Sequence, residues 1–260
     1  NDHLDPYFGG EPPEPAEEHI PDFIELVQSD DQIGLGLATD GDADRFGIVD
    51  SDGSYIEPNY ILALLFDYMI RRKKLKGNAA RSVATSHLID AVAAHHGCKI
   101  LETPVGFKFI GEYISENKIL IGGEESAGLS IRGHVPEKDG ILACLLVAEM
   151  VAVEGRNLQE LLRDLYQRVG EFHTRRINLK LSSGLEESLP EKLQNPPAEI
   201  GGRTIKEIIR IDGNKYLFDD GSWMLFRKSG TEPVVRLYGE AGSAAELESL
   251  LQAGKEFVLG

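Results

Sequence analysis

Three aspartates, Asp40, Asp42 and Asp44, stand at alternate positions in the run DGDADR, directly after the apolar segment IGLGLAT. Carboxylates this close repel one another unless a cation sits among them, and a hard, oxygen-seeking ion such as Mg²⁺ is the natural partner. Gly41 and Ala43 keep the intervening positions small, so the loop can fold tightly round an ion. An EF-hand is excluded by spacing: Arg45 would fall at its glycine position and Ser51 at its bidentate glutamate. The plainer alternative is a solvated acidic turn. The adjacent Arg45 weighs against it, because a guanidinium beside a metal is well placed to hold a phosphate.

Three other segments carry usable chemistry. GGEES at residues 122–126 offers an acceptor, Glu124, and a hydroxyl, Ser126, two residues apart, which suits paired hydroxyls of a sugar; a simple acidic turn would read the same way. RGHVPEKDG sets His134 and Lys138 four residues apart before an apolar helix, where either could bind phosphate or move a proton, or merely sit on the surface. RKSGTEP at 227–233 resembles a phosphate cradle: Arg227 gives a planar fork, Ser229 and Thr231 give hydroxyls, and Gly230 lets backbone N–H groups turn inward, with Arg236 on the next strand. A hairpin turn would use SGT equally well. ATSHL at 84–88 is a decoy: Ser86 and His87 are adjacent on an extended segment, so they point to opposite faces and do not pair.

The elements that must position these residues follow from periodicity. In residues 1–57 a Pro-rich loop leads to a helix over Ala16 to Gln28, with Ile20, Phe23, Ile24 and Val27 on one face, then the strands IGLGLAT and FGIVD and an Asp-Gly turn. In residues 58–170, helical and strand-like segments alternate. Asn59 is the expected cap of a helix over ILALLFDYMIRRKK. SVATS, CKILETPVG and ILIGG read as extended, LIDAVAAHHG and FKFIGEYISE as helices, and a long apolar helix runs from Gly140 to about Val153. Such alternation predicts α/β domains with mixed, mostly parallel sheets. Residues 171–260 change character, to alternating strands punctuated by Asp-Gly turns and closed by the helix AAELESLLQAGKEFV, which predicts an α+β domain with an antiparallel sheet.

Composition narrows the function classes. With 42% hydrophobic, 27% charged and 7% aromatic residues the chain reads as ordinary globular protein, and its net charge of −16 argues against a nucleic-acid or anionic-membrane surface. The longest apolar stretch, Ile141 to Val153, is too short to span a bilayer and contains Glu149. The two cysteines, Cys98 and Cys144, form no CxxC pair and read as reduced thiols of a cytosolic protein. A chain that opens at Asn1 and runs straight into a Pro-rich loop reads as a piece of something longer.

Taken together and in order, ATDGDADRFGIVD, TPVGFKFIG, GGEESAGLSIRGHVPEKDGILA and DGSWMLFRKSGTEPVVRLYGEA resemble the α-D-phosphohexomutase superfamily, of the phosphoglucomutase/phosphomannomutase type. The motifs run from about residue 38 to 241, nearly the whole chain. The resemblance implies a four-domain enzyme, of which this chain holds the later part of the second domain (1–57), the third (58–170) and the fourth (171–260). The phosphoserine loop of the first domain is absent, and Ser86 does not replace it.

Carried over motif by motif, the resemblance implies that Asp40, Asp42 and Asp44 ligate Mg²⁺ with a phosphoserine oxygen, and that Arg45 sits beside that phosphoryl group. Glu124 and Ser126 would read sugar hydroxyls with Gly106 nearby. Lys138, with His134 and Lys108, would touch substrate or assist proton transfer. Arg227, Ser229, Gly230, Thr231 and Arg236 would hold the non-reacting phosphate. Val105 departs from the hydroxyl residue common at that position. The implied partners are hexose phosphates, a hexose 1,6-bisphosphate and the N-terminal phosphoserine domain of the same parent chain. Glucose is the expected hexose, with mannose open. Two other classes compete: a non-catalytic sugar-phosphate or metal-binding module, and a metal-dependent phosphohydrolase, which would account for the carboxylate loop alone.

Overall fold

The computed structural model describes residues 5, 10, 12–180, 183–228 and 234–260, with the side chains of 183–186 excepted. The chain divides into two units, Asn1–Val169 and Gly170–Gly260.

In the first unit, helix α1 (Pro21–Ser29) precedes an antiparallel hairpin of β1 (Leu35–Thr39) and β2 (Phe46–Asp50), paired from Leu35↔Asp50 to Thr39↔Phe46. Phe23 and Val27 of α1 lie against Gly36 of β1, where a Cβ would stand 2.8 Å from the Val27 methyl. The hairpin therefore closes tightly over the helix, and its tip is the aspartate loop.

Then follow α2 (Pro58–Arg71), β3 (Asn78–Ser82), α3 (Leu88–His95), β4 (Ile100–Thr103), α4 (Phe107–Ser115), β5 (Ile119–Gly123), β6 (Leu129–Ile131), α5 (Gly140–Glu154) and α6 (Leu158–Val169). The strands form one sheet in the order β4-β3-β5-β6. The first three are parallel and β6 is antiparallel to β5, giving the mixed, mostly parallel sheet that the alternation predicts. Helices cover both faces. A Cβ on Gly122 would meet Ile110 of α4, and one on Gly123 would meet Leu62 of α2; neighbouring strand residues point to opposite faces. Helix α5 is apolar over most of its surface, with Glu149 and Glu154 the charged exceptions: Ala143, Leu146, Val147 and Met150 are buried, while Ile141, Leu145 and Val153 are exposed.

A buried carboxylate ties the helices together. Asp67 of α2 accepts two hydrogen bonds from Arg168 of α6, at 2.8 and 2.9 Å, and one from Arg71 at 3.1 Å; His96, just after α3, stands 2.7 Å away. Burial alone would raise the Asp67 carboxyl, but the bonds from Arg168, His96 and Arg71 outweigh it and bring it down to about 2.

The second unit is an α+β domain. Strands β7 (His173–Lys180), β8 (Glu199–Ile200), β9 (Arg203–Ile209), β10 (Asn214–Phe218), β11 (Trp223–Lys228) and β12 (Val234–Ala241) form a sheet in the order β7-β12-β11-β10-β9-β8, every pair antiparallel. Helices α7 (Ser183–Gln194) and α8 (Ala244–Leu259) share a core with it through Leu193, Tyr216, Phe226, Leu237 and Leu250. The Tyr216 hydroxyl donates to the Leu193 carbonyl at 2.7 Å, which satisfies the one polar atom that ring buries.

The structure differs from the sequence expectations at several points. The first helix starts at Pro21, not Ala16, because proline's fixed φ suits the first helical position; a short 3₁₀ turn, Glu17–His19, stands before it. Asn59 does not cap α2: Glu57 and Pro58 begin the helix, and Asn59 Oδ1 accepts the Ser86 N–H at 3.0 Å. The SVATS strand is displaced, since β3 ends at Ser82 and the chain turns where Thr85 N–H donates to the Ser82 carbonyl at 3.0 Å. β6, α6 and α7 are elements the periodicity reading did not assign.

Candidate functional site

The loop from β1 to β2 gathers the three aspartates. Each offers a carboxylate oxygen, and these oxygens all lie within 4.8 Å of one another. Ligand oxygens of an octahedral Mg²⁺ stand at most about 4.2 Å apart, so a slight inward movement would complete the set. The loop's shape has local causes. Arg45 N–H donates to Asp40 Oδ1 at 3.0 Å, closing the loop from residue 40 to residue 45, and Ala43 takes the left-handed conformation at φ 60°. Burial raises the Asp40 carboxyl, aided by the nearby Asp44 and Asp42 charges, although the Arg45 N–H opposes the shift.

Arg45 itself is spread over acids. Its Nε stands 3.7 Å from Asp40 and 3.6 Å from Asp44, while Nη1 donates to Glu14 at 3.0 Å. Lys138 reaches the same loop, and its ammonium is hydrogen-bonded to Asp44 Oδ2. The N-terminus of α5 presses on the loop too: Gly140 N–H donates to the Ala43 carbonyl at 2.9 Å.

The sugar-loop candidate adjoins this centre. Arg45 and Gly128 form an antiparallel bridge, and Gly128 leaves room for Lys138, whose Cδ would be 2.7 Å from an added Cβ. Glu124 is buried, and its Oε1 accepts the Gly106 N–H at 2.7 Å. Gly106 holds φ 130°, a conformation that favours glycine, at the start of α4. Ser126 is half-buried in the same turn. These loops follow β4 and β5, at the carboxyl ends of parallel strands, where open α/β sheets bind ligands.

His134 and Lys108 are placed differently. His134 Nε2 stands 2.7 Å from Asp139 Oδ2, and Asp139 Oδ1 accepts the Leu142 N–H at 2.8 Å as the N-cap of α5. Burial would raise the Asp139 carboxyl; the Leu142 N–H and His134 overcome it and hold it below the ordinary value. Lys108 is exposed, its ammonium 4.8 Å from the Phe109 ring centroid.

In the second unit Arg227 and Arg236 are direct cross-strand partners on β11 and β12. Like charges so placed repel. Asp212 compensates one of them, accepting from Arg227 Nε at 2.9 Å. By alternation the two arginines share the sheet face of Trp223, whose indole N–H donates to the buried Glu240 at 2.6 Å and whose ring lies 3.9 Å from the Lys215 ammonium. Ser229, Gly230 and Thr231 lie outside the described residues. Thr85, Gly128 and Gly140, which support the first unit's loops, went unrecognised in the sequence; only the clustering of glycines at loop ends could have hinted at the last two.

Three comparisons agree with this architecture. The family models match phosphoglucomutase/phosphomannomutase alpha/beta/alpha domain II at residues 1–53, alpha/beta/alpha domain III at 57–169 and the C-terminal domain at 177–254. A phosphoglucomutase/phosphomannomutase of Thermococcus kodakarensis is 34% identical, over 98% of this chain and 53% of that protein. A phosphoglucosamine mutase of Methanocaldococcus jannaschii is 30% identical, over 99% of this chain and 56% of that protein. A Thermus thermophilus crystal structure that carries the name phosphomannomutase superposes with a TM-score of 0.83 at 32% identity, covering 98% of this chain and 53% of that one. This chain thus spans about half the length of the relatives it matches. With three consecutive domains of one family matched in order, the chain belongs to the phosphoglucomutase/phosphomannomutase family of the α-D-phosphohexomutase superfamily.

Proposed function

We propose that the full-length parent of this chain interconverts hexose 1-phosphate and hexose 6-phosphate, glucose first, through a phosphoserine and a 1,6-bisphosphate intermediate. The observation that carries this reading is the joining of the aspartate loop to the Glu124 loop by the Arg45–Gly128 bridge and by Lys138. A hydrolase needs the first loop only. Reversing a bound bisphosphate needs a carboxylate centre for the reacting phosphoryl group and separate contacts for the sugar and the distal phosphate.

Asp40, Asp42 and Asp44 are the residues to hold Mg²⁺, which when bound would neutralise charge on the transferring phosphoryl group. Arg45 lies where its guanidinium can turn from Asp40 and Asp44 toward that phosphate. Glu124, anchored by Gly106 N–H, is the carboxylate to meet a sugar hydroxyl, beside the Ser126 hydroxyl. Lys138, reaching Asp44, is better placed than His134 to serve the reacting end, because His134 is engaged with the helix cap Asp139. Arg227, Ser229, Gly230, Thr231 and Arg236 would take the non-reacting phosphate, with Lys108 a peripheral contact. The serine comes from the upstream domain of the parent. Two unpaired cysteines, Cys98 and Cys144, are in keeping with a cytosolic protein, and no helix among the described residues is long and apolar enough to cross a membrane.

The test is a coupled assay of the full-length parent with Mg²⁺ and a glucose 1,6-bisphosphate primer, run on glucose, mannose and glucosamine 1-phosphates in parallel. Turnover is expected with glucose phosphate ahead of the other two. Inertness toward all three sugars refutes the proposal. The present chain alone is expected to bind glucose phosphate weakly in calorimetry and to show no turnover. A folded chain that binds neither glucose phosphate contradicts the first of those expectations.

A further inference from the structure

We infer that Thr85 is a positioning residue for the loop after β5, the segment through which Glu124 and Ser126 would read the sugar. The inference rests on that functional reading of the loop and adds a residue to it. Thr85 belongs to the ATSHL segment, which turns from β3 into α3 and whose Ser86 Oγ accepts the Leu88 N–H at 3.0 Å. Its own place is different. Thr85 is 1% exposed and Ser82, at the end of β3, is fully buried; their hydroxyls are 2.9 Å apart. Thr85 Oγ1 also accepts the Glu125 N–H at 3.2 Å.

β3 and β5 are neighbouring parallel strands, so this bond joins the loops that leave their carboxyl ends. The Glu125 amide lies between the two sugar-reading candidates, and fixing it fixes where both side chains start. Glu124 has its second anchor at Gly106 N–H, after β4. The loop is thus held twice from the same edge of β5, by a backbone amide after β4 and by a buried hydroxyl after the adjacent β3. Valine at position 85 would keep the volume and leave the Glu125 N–H without its acceptor. A buried donor so orphaned pulls the loop toward water or another partner.

The experiment compares T85V and T85S in the full-length parent and follows hydrogen exchange of residues 124–126 in the 260-residue chain. In T85V, KM for the hexose phosphate is expected to rise about tenfold, matching the loss of one buried hydrogen bond. Glu125 exchange should accelerate by a similar factor. T85S, which keeps the hydroxyl, should restore both readouts. A folded T85V with unaltered KM and exchange overturns the inference; so does a T85S as impaired as T85V, which would make the methyl group the cause. Should T85V fail to fold, S82A, which removes the hydroxyl supporting Thr85, must raise KM and Glu125 exchange in the same direction, and no change there also overturns it. If the unsubstituted parent turns over no hexose phosphate, the functional reading falls, and the exchange measurement decides on Thr85 by itself.

Discussion

Replacing Gly140 by alanine sets two effects of opposite sign against each other. Gly140 is the first residue of α5, and alanine improves a helix by up to about 1 kcal/mol. Yet the new Cβ would lie 2.2 Å from the Arg45 carbonyl oxygen, 2.7 Å from its carbon and 3.0 Å from the Ala43 oxygen. All three are backbone atoms, so no rotamer change relieves the clash; α5 and the aspartate loop must separate. Overpacking of this kind costs about 1–3 kcal/mol. The separation also stretches the 2.9 Å bond from Gly140 N–H to Ala43, losing about 1 kcal/mol more. Sterics win, and the net loss is about 2 kcal/mol, or about 4–8 °C in the melting of a unit this size. Because the displaced loop carries Asp40, Asp42 and Asp44, Mg²⁺ binding measured by calorimetry on the same protein should weaken about tenfold, the equivalent of 1.4 kcal/mol. Gly34, where an added Cβ meets nothing within 4 Å, is the control, and G34A should leave both measurements alone. A G140A protein that melts with the parent and titrates with Mg²⁺ identically refutes this account of the loop.

Three further outcomes are expected. The Asp67 carboxyl, held at about 2, stabilises the first unit above the ordinary aspartate value near 3.9, and that stability is lost as pH falls from about 4 through 2. The loss is about 2 kcal/mol in acid melts and should be missing from D67N, which starts less stable because Arg168 loses its buried partner. D139A removes the cap acceptor for Leu142 N–H together with the partner of His134 Nε2, and costs about 1 kcal/mol by denaturant titration. E124Q keeps an acceptor for Gly106 N–H, so its melting should stay within about 0.5 kcal/mol of the parent while hexose-phosphate binding falls; loss of stability and binding together would make Glu124 a structural residue.

The mixed sheet of the first unit and the antiparallel sheet of the second were legible because most strands are short apolar or alternating runs close to a glycine or Asp-Gly; β3, with the sequence NAARS, is the exception, expected too far along the chain. The aspartate loop was legible for the same reason: an acidic cluster after an apolar strand has few structural uses. Helix α6 carries a readable signal in Leu158, Leu161, Leu162 and Leu165, which are all buried at helical spacing. Helix α7 did not carry one, since Gly184 and Pro190 in SGLEESLPEKLQ read as loop, and burial of Leu189 and Leu193 against the sheet overrides that local preference. Strand β6 is three residues long and exists only as the partner of β5. Thr85 lies in a segment that reads as a strand, and its bond to residue 125 is a long-range fact no local pattern encodes.

Long-range facts also change what the motifs are. As sequence, the aspartate loop, GGEES and HVPEKDG are three separate signals. In the fold, Arg45 bridges Gly128, Lys138 reaches Asp44, Gly140 N–H donates to Ala43 and Asp139 N–H donates to Leu129. These bonds make one assembly of β2, the loop after β5, β6 and the start of α5. A cation entering the aspartate loop must compete with the Lys138 ammonium for Asp44, and Lys138 lies against Gly128 in the sugar loop. Any free energy by which an ion at the aspartates alters the sugar loop is matched by what a ligand at the sugar loop does to the ion, as linkage requires. In a mutase that must hold a bisphosphate while it turns round, such reciprocity has a use, since occupancy at either place is registered at the other. A hydrolase releasing its product after one transfer has no need of it, and that asymmetry is why the bonds between the motifs say more about the chemistry than any motif does singly.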